Sequence, residues 1–473
     1  MTSGMGMRPL LMLPEMLLFV GGLVALIGGS FVPRRRQWQI RVVAAVAVLG
    51  SATAAVLGLG GPDQAAFEGT FAVDTTTGIA RLVAAVGTLL VLGLAGDEVT
   101  GSPRESETYA LLLFATTGTL VLAGAEDLLV LAVGFLLASI PLYGLIGIAR
   151  TRKGAEAAMK TYLMGALFGI LLLLGVTILY GVSGSTLYVD LGGRLAEAPR
   201  TAVVAAVVGV LAGLMFKAGG VPAHFWVPDA AQGAGGAVAA FLTTVPKIGA
   251  VLAAYRLGEM LPDSTGWPVL VATFAVASMT LGNLAAYWQQ DPRRLLGWST
   301  VSQVGFLLVP VAVAGRSDLA LPSLLFYLAG YTLTNIAAFA VTCALPDRRD
   351  LGGYRGLAGS RPWLAASLVV ALLGLVGTPP TAVFVGKLTT ATAAWDGGLA
   401  WLAVLVFLNT LVSLFYYLRW VVPAYRPGEG PERTIRTAYM PQQWSGRVAV
   451  VAAAGTILVG VVAGPLWALV SAG

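Results

Sequence analysis

The sequence predicts an all-α protein that crosses a membrane about fourteen times, and three observations predict it. Hydrophobic residues make up 57% of the chain and charged residues 11%, with a mean hydropathy of +0.83. Apolar runs long enough to cross a bilayer recur from one end of the chain to the other. The basic residues between those runs gather in alternate loops, as they do in multi-pass helical membrane proteins.

The spans, in order, are expected at residues 9–29, 42–61, 74–95, 108–124, 128–149, 158–182 and 201–226. They continue at 236–258, 267–288, 295–314, 320–344, 363–394, 398–421 and 448–470. The first is not read as a cleaved leader. Pro14 and Glu15 interrupt it, and an arginine cluster follows it. Glu15 is the one carboxylate more than a turn inside a span, and it reads as an interfacial residue near the start of the first helix. No soluble domain fits between spans. The longest connection, 422–447, is rich in Pro, Gly and Arg and reads as a surface loop or a lateral amphipathic segment.

The charges orient this set. One side collects Arg34, Arg35, Arg36, Arg41, Arg104, Arg150, Arg152, Lys153, Lys160, Arg293 and Arg294. Arg348, Arg349, Arg355, Arg361, Arg419, Arg426, Arg433, Arg436 and Arg447 follow on the same side. The other side has only Arg8, Arg81, Arg194, Arg200, Arg256 and Arg316. The basic loops are therefore expected in the cytoplasm, and both termini on the outer side of a prokaryotic cell membrane.

Composition also excludes. The single cysteine, Cys343, allows no disulfide within the chain and no CxxC or iron–sulfur motif, and reads as a small buried hydrophobe. The single histidine, His224, rules out a multi-histidine metal or haem site. No glycine-rich phosphate loop opens a helix, and no nucleic-acid partner is expected.

Three lysines carry the functional argument. The basic residues are mostly arginine, yet Lys217, Lys247 and Lys387 lie well inside spans. Arginine stays charged everywhere, whereas a buried lysine can exchange its proton. An ionisable group in hydrocarbon costs a few kcal/mol and is a functional-site hypothesis by default; the bland alternative is a side chain that snorkels to the interface. Each lysine lies beside a helix breaker. Lys217 precedes Gly219, Gly220 and Pro222, and Lys387 follows Gly377, Pro379 and Pro380. Pro246 comes directly before Lys247 and removes a backbone donor in the middle of its span. Broken helices at corresponding places in two halves point to a transport site. Spans 4–8 (108–260) and 9–13 (261–421) form two five-helix units, each broken in its fourth helix (spans 7 and 12). An odd number of spans inverts the second unit. Residues 1–107 supply three leading spans, and 422–473 a cytoplasmic loop and a last span.

His224, just past the first break, reads either as a proton-relay group or as a packed histidine. Asn283, Ser299, Ser302, Gln303, Tyr327, Tyr331, Thr334 and Asn335 place hydroxyls and amides in spans 9–11. They read either as a water-holding chain between Lys247 and Lys387 or as ordinary interhelical hydrogen bonds.

At these residues the chain resembles a known family. The run from Val221 through Pro222, His224, Phe225, Trp226 and Pro228 to Asp229, Gln232 and Gly233 is similar to the signature of the antiporter-like membrane subunits of respiratory complex I (NADH:quinone oxidoreductase), and closest to the N type. Glu156–Lys160, Arg293–Ser299, Gly377–Lys387 and Tyr416–Arg419 match as well. The resemblance covers essentially the whole chain. It implies fourteen helices with two inverted five-helix repeats, and proton translocation driven by quinone reduction elsewhere in the complex. Lys217, Lys247 and Lys387 fall on the family's proton-relay lysines, with Lys387 as the exchange site toward one face. The resemblance implies no cofactor in this chain, and places NADH, FMN, iron–sulfur clusters and quinone in partner subunits. The implied partners are other antiporter-like and small membrane subunits, the hydrophilic redox arm, and lipids.

The sequence departs from the family at several places. Leu136, in the run Gly134–Ser139, stands where relatives carry a glutamate that pairs with the span-7 lysine. Gly235-Gly236 replaces a Pro/Thr pair, Gln303 replaces a histidine of many relatives, and Pro246 replaces a small residue. Three functional readings stay open from the sequence: a pump subunit, a subunit of a multisubunit cation/proton antiporter, and a spacer in the membrane arm that no longer pumps.

Overall fold

The computed structural model describes residues 7–427 and 443–471. The chain opens with three long helices, α1 (Leu13–Phe31), α2 (Trp38–Gly58) and α3 (Thr75–Glu98). Then come α4 (Glu105–Ala123), α5 (Leu128–Gly147), α6 (Arg152–Ser183), the short α7 (Tyr188–Glu197) and α8 (Arg200–Ala218). Two short helices, α9 (Trp226–Gly233) and α10 (Gly236–Leu242), lead into α11 (Val245–Met260). The second half holds α12 (Trp267–Ala286), α13 (Pro292–Ala312), α14 (Ala320–Ala344), the single turn α15 (Leu357–Ser360), α16 (Pro362–Val376), α17 (Ala382–Asp396) and α18 (Ala400–Tyr425). The described chain closes with α19 (Gln443–Val461) and α20 (Ala463–Ser471).

Among the described residues, 13 helical segments are long and apolar enough to cross a membrane. The 15-residue helices α16 and α17 follow one another across the break at 377–381. The protein is a multi-pass, all-α membrane protein. Several helices start where a side-chain oxygen takes the first free N–H groups. Asp74 caps α3, Asp127 caps α5, Thr151 caps α6 and Asp291 caps α13. Exposed tryptophans mark both rims, as interfacial indoles do: Trp38, Trp288, Trp363 and Trp444 at the basic side, Trp395 and Trp401 at the other. The α10–α11 span is completely buried, and α13 and α14 are 94% and 89% buried. These three are the inner helices, and they carry most of the polar residues between the lysines.

Four expectations are corrected. The span at 236–258 is not one helix with a proline inside it. It breaks at Thr243-Thr244, and Pro246 is the second residue of α11, where a missing N–H leaves no bond unmade. Glu15 stands in the first turn of α1 as expected but is not a solvated surface charge: it is 3% exposed and receives two bonds from Arg81 at 2.7 and 2.8 Å. Arg81 is correspondingly buried rather than a loop charge, and its partner satisfies a cation that hydrocarbon would not. The last span starts at Gln443 rather than 448, and residues 463–471 form a separate helix. The surface loop expected at 422–447 lies mostly outside the described residues. Two features were not foreseen: the amphipathic α7, and an antiparallel pair β1 (Gln64–Ala66) and β2 (Phe71–Val73) between α2 and α3.

Candidate functional site

The site begins with two helix ends. α8 stops at Gly219, whose φ of 81° suits a residue without a Cβ. The Gly219 N–H bonds the Phe216 carbonyl at 3.1 Å, and the Gly220 N–H bonds the Met215 carbonyl at 2.9 Å. α16 stops in the same way at Gly377, with φ 92°. There the Gly377 N–H bonds Gly374 at 2.8 Å, and the Thr378 N–H bonds Leu373 at 3.1 Å. Both are Schellman endings. Three residues after each glycine stands a proline, Pro222 or Pro380, and each is preceded by a cis peptide bond. Pro379 is the residue before the second of these. The two breaks are therefore alike in backbone pattern, although they lie more than 150 residues apart in the chain.

Each ending leaves its last carbonyls pointing off a helix C-terminus, where the dipole favours a cation. A lysine takes each one. Lys247, fully buried on α11, donates to the carbonyl of Ala218, the last residue of α8. Trp226 supports it: its indole N–H bonds the Phe216 carbonyl at 3.0 Å, and its ring lies 6.0 Å from the lysine amine. Lys387, on α17, donates to Val376 at 2.9 Å and Leu375 at 3.1 Å, the last two residues of α16. Its amine also stands 3.8 Å from the centre of the Phe306 ring. Lys217, in the last turn of α8, reaches α5, where it donates to the Ala138 carbonyl at 2.5 Å and the Ser139 hydroxyl at 3.2 Å.

Among the described residues, none of the three ammonium groups pairs with a carboxylate. Placing a lysine in hydrocarbon costs a few kcal/mol, and the carbonyl bonds and helix ends offset that cost without a counter-charge.

Two rungs of buried polar groups lie between the two break lysines. Gln303 on α13 donates to the Leu375 carbonyl at 2.8 Å, the same oxygen that Lys387 uses, and accepts from the Tyr327 hydroxyl at 2.6 Å. One turn along, Tyr331 donates to the Thr243 carbonyl at 2.7 Å and lies 3.3 Å from the Thr300 hydroxyl. Asn335 donates to the Thr243 hydroxyl at 2.9 Å. Thr300 and Gln303 are three apart on α13, and Tyr327 and Tyr331 four apart on α14, so each pair faces one way. Thr243 sits at the α10–α11 break, one turn before Lys247.

The other polar candidates mostly tie neighbouring helices together, and Ser299 and Tyr416 meet Gln303 through Tyr417 of α18. Asn283 accepts from the Ser302 and Tyr416 hydroxyls and donates to Asn409, which ties α12 and α13 to α18. Ser299 bonds Tyr417 at 2.5 Å, and Thr334 bonds Thr456 of α19 at 2.7 Å. These are the interhelical bonds that the sequence left as an alternative. His224 is buried, and among the described residues its ring nitrogens bond no other side chain. It packs against Trp298, ring centres 5.5 Å apart, and is not bonded to any of the lysines. Leu136 is 41% exposed on the outer face of α5, while the Lys217 amine lies against the next turn of that helix. Glu126 does not substitute for the missing acid, because it pairs with Arg256 at 2.6 Å, which also holds Asp74. Sequence reasoning missed Thr243 and Thr300. A Thr-Thr pair two residues before a proline was the available signal for the first.

Outside the spans, Asp229 of α9 accepts from Arg294 at 2.5 Å and Lys160 at 2.9 Å, and Lys160 also meets Glu156 at 2.7 Å. This network fastens the segment after the first break to α6 and α13. Burial pushes the Asp229 carboxyl up, but the two cations outweigh burial and hold it below the usual carboxylate range.

The chain is similar along most of its length to known proteins. The sequence profile described as NADH:quinone oxidoreductase/Mrp antiporter, TM, matches residues 125–413. NADH-quinone oxidoreductase subunit N of Mycobacterium sp. (strain JLS) is 69% identical over 466 residues, 98% of this chain and 99% of that one. Subunit N 1 of Streptomyces griseus is 50% identical over 458 residues, 96% of each. A chain of respiratory complex I from Thermus thermophilus with bound Aureothin superimposes with a TM-score of 0.82 at 31% identity, covering 96% of this chain and 98% of that one. A chain of the Mrp complex from Dietzia sp. DQ12-45-1b reaches 0.84 at 22% identity, over 98% and 96% of the two chains, a likeness of fold alone.

Proposed function

The chain belongs to the NADH:quinone oxidoreductase/Mrp antiporter membrane family, and from that premise we propose that it is the proton-translocating N subunit of a complex I type NADH:quinone oxidoreductase. The observation that carries the mechanism is the shared construction of the two breaks. At each, a lysine from a neighbouring element binds the exposed carbonyl end of a half-helix. Protons enter and leave the amines of Lys217, Lys247 and Lys387, and the Thr243–Tyr331–Thr300 and Tyr327–Gln303 rungs carry them between the last two. Movement of a half-helix changes how well its carbonyls hold the ammonium, and so couples conformation to proton affinity.

The redox chemistry belongs to the hydrophilic arm, with quinone, flavin and iron–sulfur centres in partner subunits and none in this chain. Other antiporter-like and small membrane subunits flank it. The complex lies in a prokaryotic cell membrane with the basic loops in the cytoplasm. The matching breaks at Gly219 and Gly377 support a division into two inverted five-helix units, 108–260 and 261–421. The names of relatives up to 69% identical favour the redox-driven complex over a free-standing cation/proton antiporter.

The test is Lys387→Ala in the assembled complex, reconstituted in proteoliposomes. Fewer protons should move per quinone reduced, with NADH oxidation by a soluble acceptor unchanged. An unchanged ratio would sink the assignment.

A further inference from the structure

We propose that a groove at the basic rim, between α14, α16 and α19, binds an anionic diacyl phospholipid. The groove has a volume of about 580 Å³. Its walls are apolar, formed by Ala344, Leu364, Val450 and Val451, and two arginines, Arg361 and Arg447, stand at its mouth. Among the described residues no acidic side chain lines it. Arg361 makes one long bond, 3.5 Å, to the Ala344 carbonyl. Arg447 stacks on Trp444 with its guanidinium carbon 5.4 Å from the ring centre, and Arg41 approaches the same indole at 5.3 Å. Among the described residues none of these three guanidinium groups has a carboxylate partner.

The arrangement matches the two halves of a phospholipid. Arg361 begins the crossing of α16 and Arg447 lies in the first turns of α19, so both guanidiniums sit at headgroup depth on one side of the membrane. Arg447 and Val451 are four apart on α19 and share a face, which runs from a cation into an apolar wall. Trp363, 76% exposed, flanks the opening as an interfacial indole would. A free inorganic anion would meet the arginines but leave the apolar walls unfilled, and a neutral lipid would fill the walls but leave the guanidiniums without counter-charge. Basic pockets between helices at a membrane surface select anionic headgroups by this combination.

The experiment installs the photoreactive residue p-benzoylphenylalanine at position 363, and separately at 451, in the assembled complex. The complex is placed in nanodiscs of equal parts phosphatidylglycerol and phosphatidylcholine, illuminated, and the adducts are identified by peptide mass. Each arginine near the surface is worth about a fivefold preference, so the phosphatidylglycerol adduct should exceed the phosphatidylcholine adduct by roughly 25-fold. Arg361→Gln with Arg447→Gln should remove the excess while the complex still assembles. The proposal is overturned by adducts in the bulk lipid ratio, by a cross-link to another polypeptide in place of lipid, or by no lipid adduct at either position.

Discussion

Replacing Gly377 with alanine separates the two jobs that this glycine does. Its φ of 92° lies where a residue with a Cβ is strained, at a cost of about 1–3 kcal/mol. The added methyl would also sit 3.0 Å from Cδ of Lys387, tighter than ordinary contact, so the lysine stem has to give. A shift of a few tenths of an ångström acts on the amine's bonds to Leu375 and Val376, now 3.1 and 2.9 Å. Losing one bond from a charged donor costs about 1.5–3 kcal/mol, roughly ten- to a hundredfold in how favourably the ammonium is held. Gly398 supplies the control. Its φ is 81°, and an added Cβ there meets nothing within 4 Å. Gly377→Ala and Gly398→Ala should therefore both lower thermal stability by about 1–3 kcal/mol. Only Gly377→Ala should lower the number of protons moved per quinone reduced, measured in proteoliposomes of the assembled complex. If the two variants pump alike, the carbonyl end of α16 is not the seat that tunes Lys387.

Two further outcomes follow from the same geometry. Asp229 has a folded carboxyl pKa depressed by Arg294 and Lys160, so its stabilisation is present above the unfolded value of about 3.9 and is lost as pH falls through the folded one. Its side chain is partly solvated, which limits the effect to about 1 kcal/mol. The melting temperature of Asp229→Asn should lie below that of the unsubstituted protein by a constant margin from pH 7 to 5, and the two should converge below about pH 3.9; a gap that widens in acid would contradict this. Leu136→Glu returns a carboxylate to α5 near the turn that holds the Lys217 amine. A pumping subunit should answer with a changed rate or pH profile of proton transport, and an unchanged profile would favour the spacer reading.

Much of this site was legible in the residues themselves. Lys217, Lys247 and Lys387 stand out because a charge inside an apolar run has no cheap explanation, and Gly219, Pro222, Gly377 and Pro380 announce their breaks by residue type. What the sequence withheld was pairing. Glu15 looks like a lone charge until Arg81, 66 positions away, is seen against it. Pro246 reads as a disruptor because the break two residues earlier is made by Thr243 and Thr244, neither of which forbids a helix. The eight polar residues of spans 9–11 are equal on paper. Helix rotation decides that Tyr331 and Asn335 meet Thr243 and that Gln303 meets the carbonyl end of α16, while Asn283 bonds α18 and Thr334 bonds α19. The α16–α19 groove has no linear signature, since its two arginines lie 86 residues apart.

The most direct test of the central claim is the proton-to-quinone ratio of a complex carrying Lys247→Arg. Arginine keeps a cation against the Ala218 carbonyl but does not give up its proton. The account predicts an assembled complex whose hydrophilic arm still oxidises NADH while fewer protons cross per quinone. A ratio equal to that of the unsubstituted complex would mean that proton exchange at Lys247 is no part of the path.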